Sequence, residues 1–161
     1  MINMHIQLTI NGQSRTFEVA PGDLLLELLR REAYFGVKHG CETGDCGVCA
    51  VLLDGRIVNS CIMLAAQADG HAITTIEGIG SMDALHPLQQ AFIDAGAIQC
   101  GYCTPAQILA AKALLDANPS PTETEVREAI AGVLCRCTGY EKPVAAILAT
   151  VALPQTTRKE A

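Results

Sequence analysis

Apolar residues recur at every second position near the N-terminus: Ile6, Leu8 and Ile10 alternate, and Phe17 and Val19 do so again beyond Asn11-Gly12. Alternation turns one face of a strand towards a core, and Asn-Gly suits a two-residue turn with both central residues at positive φ. Residues 4–19 are therefore predicted to form a hairpin. Pro21-Gly22-Asp23 opens a helix, with Asp23 as its N-cap and Leu25, Leu28 and Leu29 on one face, fading by Glu32. Asp54-Gly55, between the apolar stretches 51–53 and 57–58, predicts a second hairpin, and residues 73–76 a closing strand. These elements predict an α+β roll with the helix packed across the sheet.

The period then changes. Leu88, Ala91, Phe92 and Ala95 are spaced i, i+3, i+4, i+7, as are Val126, Ala129, Ile130 and Val133, and again Val144, Ile147, Leu148 and Val151. That spacing marks amphipathic helices. A fourth helix is predicted over residues 105–117, with Thr104 as N-cap and Pro105 at the first helical position. Asn118-Pro119-Ser120-Pro121 ends it, and Thr122 with Glu125 fits a capping box for the next. Four helices with short connections predict a small bundle. The boundary is placed near residues 78–83, giving domains 1–79 and 80–161. Gly78-Ile79-Gly80 reads as a linker, since Asp83 stands where a dinucleotide motif needs a third glycine.

Composition limits what these halves can do. The chain has 161 residues, 50% hydrophobic but only 4% aromatic and without Trp, so two small cores lack the residues that normally supply much of their buried area. Seventeen acidic against eleven basic residues give a net charge of −6, and the only adjacent basic pairs are Arg30-Arg31 and Arg158-Lys159, which disfavours nucleic acid as a partner. No basic stretch followed by an apolar one precedes Ile6, and the apolar run 143–154 is too short to span a bilayer. A soluble, cytoplasmic protein with no transmembrane segment is expected. No Ser/His/Asp order or His pair suggests a catalytic site, and the histidines His5, His39, His71 and His86 are expected at the surface.

Eight cysteines in a reducing compartment point to metal ligation rather than disulfides. Cys41, Cys46, Cys49 and Cys61 form C-x4-C-x2-C-x11-C, whose first three members match the plant-type [2Fe–2S] spacing. The loop between them carries Gly44 and Gly47, as expected where backbone N–H groups must approach sulfur at positive φ. Zinc loops place their ligands as C-x2–4-C pairs instead. Cys100, Cys103, Cys135 and Cys137 form C-x2-C-x31-C-x-C. The first two precede a helix whose positive end would face anything they bind. The last two cannot point the same way from a regular helix and are expected on irregular backbone. Taken alone, this second set suits zinc or iron–sulfur equally, and the first set decides for iron–sulfur. Two ferric ions, two sulfides and four thiolates sum to −2, or −3 when reduced, so positive partners are expected; Lys38, His39 and Arg136 are the candidates.

The motifs Gly40-Cys41 to Cys49, Cys61, Gln99-Cys100-Gly101-Tyr102-Cys103-Thr104-Pro105 and Leu134-Cys135-Arg136-Cys137-Thr138-Gly139-Tyr140 resemble the small iron–sulfur subunit of the molybdenum hydroxylases, the group of xanthine dehydrogenase, aldehyde oxidoreductase and carbon monoxide dehydrogenase. The resemblance runs from Ile6 to about Ala152. It implies a plant-ferredoxin-like β-grasp domain followed by a four-helix-bundle domain, each holding one [2Fe–2S] cluster. It further implies an electron-transfer role in a heterotrimer. The C-terminal cluster would lie towards molybdopterin, in its cytosine dinucleotide form, on a large catalytic subunit, and the N-terminal one towards FAD on a medium subunit. Gln99 and Cys137 are implied to contact the pterin. Three departures touch the surroundings rather than the ligands: Ala50 where Thr is frequent, Ala106-Gln107 in place of Gly and an apolar residue, and Val133 where Asn is frequent. The rival expectation is a free-standing metal protein, either a two-cluster carrier or a zinc-stabilised adaptor.

Overall fold

The computed structural model describes residues 3–153. The tail pair Arg158-Lys159 and Pro154, at the end of the apolar run, lie outside the described residues. Strands β1 (Met4–Ile10) and β2 (Gln13–Val19) form the first hairpin, turning at Asn11 (φ 51°) and Gly12 (φ 81°). Strands β3 (Ala50–Leu53) and β4 (Arg56–Asn59) form the second, turning at Asp54 (φ 48°) and Gly55 (φ 80°). Strand β5 (Ala72–Thr74) lies parallel to β1 and antiparallel to β3, closing a five-stranded sheet of order β2-β1-β5-β3-β4. It stops short of the expected Ile76 because Thr75 leaves the ladder: its N–H donates to Asn11 Oδ1 at 2.9 Å, and Ile76–Gly78 coils into a 3₁₀ turn.

Helix α1 (Leu25–Arg31) buries Leu25, Leu26, Leu28 and Leu29 against Ile6, Leu8, Ile10, Phe17 and Val19, the expected helix-on-sheet core. Its N-cap is Leu24 rather than Asp23. The Asp23 carboxylate accepts instead from Ala20 N–H at 3.1 Å, closing the turn before the helix, so it is already engaged one residue too early to cap.

The second half contains α2 (Pro87–Asp94), α3 (Thr104–Ala117), α4 (Glu123–Ala131) and α5 (Glu141–Val151). The capping box of α4 forms as read: Thr122 Oγ1 accepts from Glu125 N–H, and the Glu125 carboxylate accepts from Thr122 N–H at 2.7 Å. Helix α3 starts one residue earlier than expected. The Cys103 carbonyl already accepts from Gln107 N–H at 3.0 Å, which makes Cys103 the N-cap and Thr104 helical. His86 also departs from expectation. It is buried, and its Nδ1 accepts from Leu88 N–H at 3.2 Å, capping α2 where Pro87 offers no donor.

The halves share a wall. Residues 48–52 are apolar without interruption, the pattern of a strand buried on both faces. Alternation sends Val48, Ala50 and Leu52 into the helical core, beside Ala106, Ile108 and Ala110, while Cys49 and Val51 face α1. Just before β3 the two backbones nearly touch. A Cβ on Gly47 (φ +68°) would lie 2.0 Å from the Gly132 carbonyl oxygen, and Leu134 N–H donates to the Cys46 carbonyl at 2.9 Å.

Two outcomes are expected. Gly47→Ala, which adds strain at positive φ to a clash with backbone, should destabilise the protein by about 2–4 kcal/mol, read as a lowered thermal midpoint. Burial holds the His86 imidazole below its ordinary pKa, with Lys112 adding to the effect and Asp116 opposing it. The folded state therefore favours neutral His86. Its contribution is complete above the unfolded value of about 6.5 and is lost as pH falls from there towards the lowered folded value. His86→Asn keeps a capping oxygen and should remove that part of the acid sensitivity, so thermal melts of the two proteins should differ in slope between pH 7.5 and 5.5.

Candidate metal centres

The first thiol set lies on the loop between α1 and β3 and at the far end of the second hairpin. Pairing of Ala50 with Asn59 brings the chain back beside its start, so the eleven residues between Cys49 and Cys61 are the length of one hairpin and its flanks. Cys61 sits in the 3₁₀ turn Ser60–Ile62, which is tied to the loop twice: Ser60 Oγ donates to the Cys49 carbonyl at 2.7 Å and Asn59 Nδ2 to the Gly44 carbonyl at 2.9 Å. Cys41 Sγ accepts from the backbone N–H groups of Thr43 (3.5 Å) and Cys46 (3.3 Å). The Thr43 side chain and these amides lower the Cys41 thiol to about 6. Burial, and then the hydrogen bond with Cys49, push Cys61 up to about 11. Gly40 leaves room for sulfur, since a Cβ there would lie 2.7 Å from Cys46 Sγ. Gly44 (φ +84°) and Gly47 (φ +68°) adopt the conformation expected of them, although Gly47 answers to the Gly132 carbonyl and not to a sulfur.

The second set gathers where α3 begins and where the chain passes from α4 to α5. Cys135 and Cys137 lie on non-helical backbone, as their spacing requires. Together with Cys100 and Cys103 they line one cavity of about 180 Å³, walled also by Val48, Tyr102, Leu134 and Arg136. Cys137 Sγ and Cys100 Sγ are 3.6 Å apart, both exposed, while Cys103 is buried beside Cys135. Burial pushes the Cys103 thiol up to about 12, with Cys135 adding to it. Thr138 and Tyr140 anchor the loop, a role the sequence reading did not assign. Thr138 Oγ1 lies 3.0 Å from Cys135 Sγ and accepts from Tyr140 N–H at 3.2 Å, and Tyr140 Oη accepts from Cys135 N–H at 2.7 Å. A hydroxyl three residues after Cys135 is the signal that could have marked this turn.

The donor chemistry of both sets, and the cavity of the second, suit diiron clusters. Among the described residues no three His, Cys, Asp or Glu side chains close round one point. The thiols stand in pairs, and the 3.6 Å separation of Cys100 and Cys137 is near the edge of a tetrahedron with metal–sulfur bonds of about 2.3 Å. Were Cys61 and Cys103 to ligate a metal, each would give up a proton, because burial favours their neutral forms. Of the candidate positive partners, Arg136 lies on the wall of the second cavity, whereas His39 pairs with Glu42 at 3.0 Å.

The two sites adjoin. Val48 lines the second cavity, and the next residue, Cys49, belongs to the first set. Tyr102, between Cys100 and Cys103, donates its hydroxyl to the His39 carbonyl, two residues before Cys41. At the outer edge Gln99 Nε2 donates to the Cys137 carbonyl at 3.0 Å, so the two residues implied to contact a pterin stand together at the surface.

Comparison with known proteins agrees with this layout. Residues 8–74 match the 2Fe-2S iron-sulfur cluster binding domain family, and residues 75–148 the [2Fe-2S] binding domain family. The chain is 50% identical over 150 residues to the nicotinate dehydrogenase small FeS subunit of Eubacterium barkeri, covering 91% of this chain and 94% of that one. It is 47% identical over 146 residues to the xanthine dehydrogenase iron-sulfur-binding subunit of Escherichia coli O157:H7, covering 89% and 91%. The crystal structure of quinoline 2-oxidoreductase from Pseudomonas putida 86 superposes with a TM-score of 0.91 at 43% identity, covering 98% of each chain. With its β-grasp-like sheet domain followed by a helical domain of four main helices, the chain belongs to the small [2Fe–2S] subunits of the molybdenum hydroxylase family, electron-transfer subunits of oxidoreductases such as xanthine dehydrogenase, aldehyde oxidoreductase and nicotinate dehydrogenase.

Proposed function

We propose that this chain conducts electrons from a molybdopterin cofactor on a large catalytic subunit, by way of the Cys100/Cys103/Cys135/Cys137 site and then the Cys41/Cys46/Cys49/Cys61 site, to FAD on a medium subunit. The observation that carries the reading is the juxtaposition of the two thiol sets, with Cys46 and Leu134 joined by a backbone hydrogen bond of 2.9 Å. When bound, a [2Fe–2S] cluster accepts and returns a single electron. This chain's residues hold the two sites at fixed separation: the Cys46–Leu134 bond and the Tyr102–His39 bond staple the ligand loops to each other. We place the domain limits at 1–79 and 80–161, which assigns one thiol set to each.

Exposure supports the direction. Cys100 and Cys137 reach the surface among Ile98 (40% exposed), Tyr102 (47%) and Leu134 (56%), an apolar rim that a free carrier would have no use for. Gln99 and the Cys137 backbone lie on the same rim and are the groups offered to a pterin. Among the described residues no helix is long and apolar enough to cross a membrane, in keeping with partners that are themselves protein subunits.

Reduced protein should show two distinct S = 1/2 diiron signals, with iron and acid-labile sulfide each at about four per chain. Cys41→Ala should remove one signal, and Cys137→Ala the other. Zinc in either site of carefully purified protein counts against the assignment. The native protein should co-purify with a molybdenum-containing large chain; isolation as a stable monomer carrying both clusters would sink the subunit reading and favour a free carrier.

A further inference from the structure

Gln107 is a buried polar residue that belongs to neither thiol set. It lies four residues beyond Cys103 on α3, is 1% exposed, and has no hydrogen-bond partner for either its amide nitrogen or its amide oxygen. Among the described residues these two are the side-chain nitrogen and oxygen atoms that are buried and unpartnered. A buried primary amide without partners is costly, and an apolar side chain of similar volume would avoid that cost.

Its position indicates what the group serves. Gln107 N–H bonds to the Cys103 carbonyl at 3.0 Å, so residues 103 and 107 belong to the same helical ladder. Residues i and i+4 share a face, and helical side chains lean towards the N-terminus, so Gln107 is the next residue along α3 on the face of Cys103. Cys103 is the most buried cysteine of its set at 8% exposure. Cys135 has the Thr138 hydroxyl at 3.0 Å, and Cys137 faces Cys100 at the surface, whereas among the described residues the side chain hydrogen-bonded to Cys103 is the Cys135 thiol and not an N–H or O–H donor. A buried donor without an acceptor thus stands one turn from a buried cysteine without a side-chain N–H or O–H donor.

We infer that Gln107 is a positioning and tuning residue of the second site, its side-chain N–H donating to sulfur of the [2Fe–2S] cluster held there. The inference rests on the cluster assignment proposed above. An N–H donor stabilises the reduced cluster, at −3, more than the oxidised one at −2, and so raises the potential of that cluster alone. Reduction of this site by its electron donor is thereby favoured over what an apolar residue would give.

The test uses the assembled enzyme. In Gln107→Met, of similar volume but without a donor, EPR-monitored redox titration should show the cluster lost in Cys137→Ala to be about tenfold harder to reduce, about 59 mV lower for one electron. The cluster lost in Cys41→Ala should not move. Protein grown with glutamine labelled by ¹⁵N in its side chain alone should show a hyperfine coupling from that nitrogen to the second cluster, in the wild type and in Gln99→Asn, which takes the label off the other nearby glutamine. Unchanged potentials, equal shifts of both clusters, or absence of the coupling each overturn the inference and point to a buried water as the partner of Gln107. The labelled wild-type chain decides even where Gln107→Met fails to load its cluster. Absence of two diiron signals in the wild type refutes the cluster assignment instead.

Discussion

Everything in this molecule depends on the approach of two backbones, where Gly47 meets the Gly132 carbonyl and Leu134 N–H reaches the Cys46 carbonyl. Residues 46 and 47 lie inside the first thiol loop, and residues 132 and 134 lead into the second. One contact of peptide on peptide therefore sets the distance between the sites. A side chain at position 47 would separate them and open the wall that they share.

The same economy appears in β3. A strand buried on both faces serves two cores at once, which helps a chain with few aromatic residues to build two small domains. Val48 looks into the second cavity, and Cys49 turns back to the first core. The thiols differ in setting across each site. Cys41 is ionised readily by the amides and hydroxyl around it, while burial favours the neutral forms of Cys61 and Cys103. Each site thus has a wet side and a dry side, with Cys100 and Cys137 on the wet side of the second.

Much of this was legible in one dimension. Both hairpins follow from Asn11-Gly12 and Asp54-Gly55 set between apolar stretches, because those dipeptides tolerate positive φ in succession. The α4 capping box could be read from Thr122 and Glu125 because both partners lie within one turn. Caps were less legible where a side chain has a choice of nearby amides or where burial decides its role. Asp23 closes the turn at Ala20, and His86 caps α2 from a buried position, which no local pattern indicates. Tyr140 and Thr138 escaped because their partner is the backbone and sulfur of Cys135, in a loop with no period.

Cysteine spacing, apolar period and turn dipeptides are local, and they determined the elements, the two thiol sets and the family. Proximity of the sets, the rigid staple between them, the exposure of Cys100 and Cys137 and the isolation of the Gln107 amide are not local quantities. They arise when residues some ninety positions apart, such as Cys46 and Leu134, come within hydrogen-bond reach. Only packing of the helical half against the outer face of β3 decides them, since burial and contact belong to pairs of elements and not to a stretch of chain.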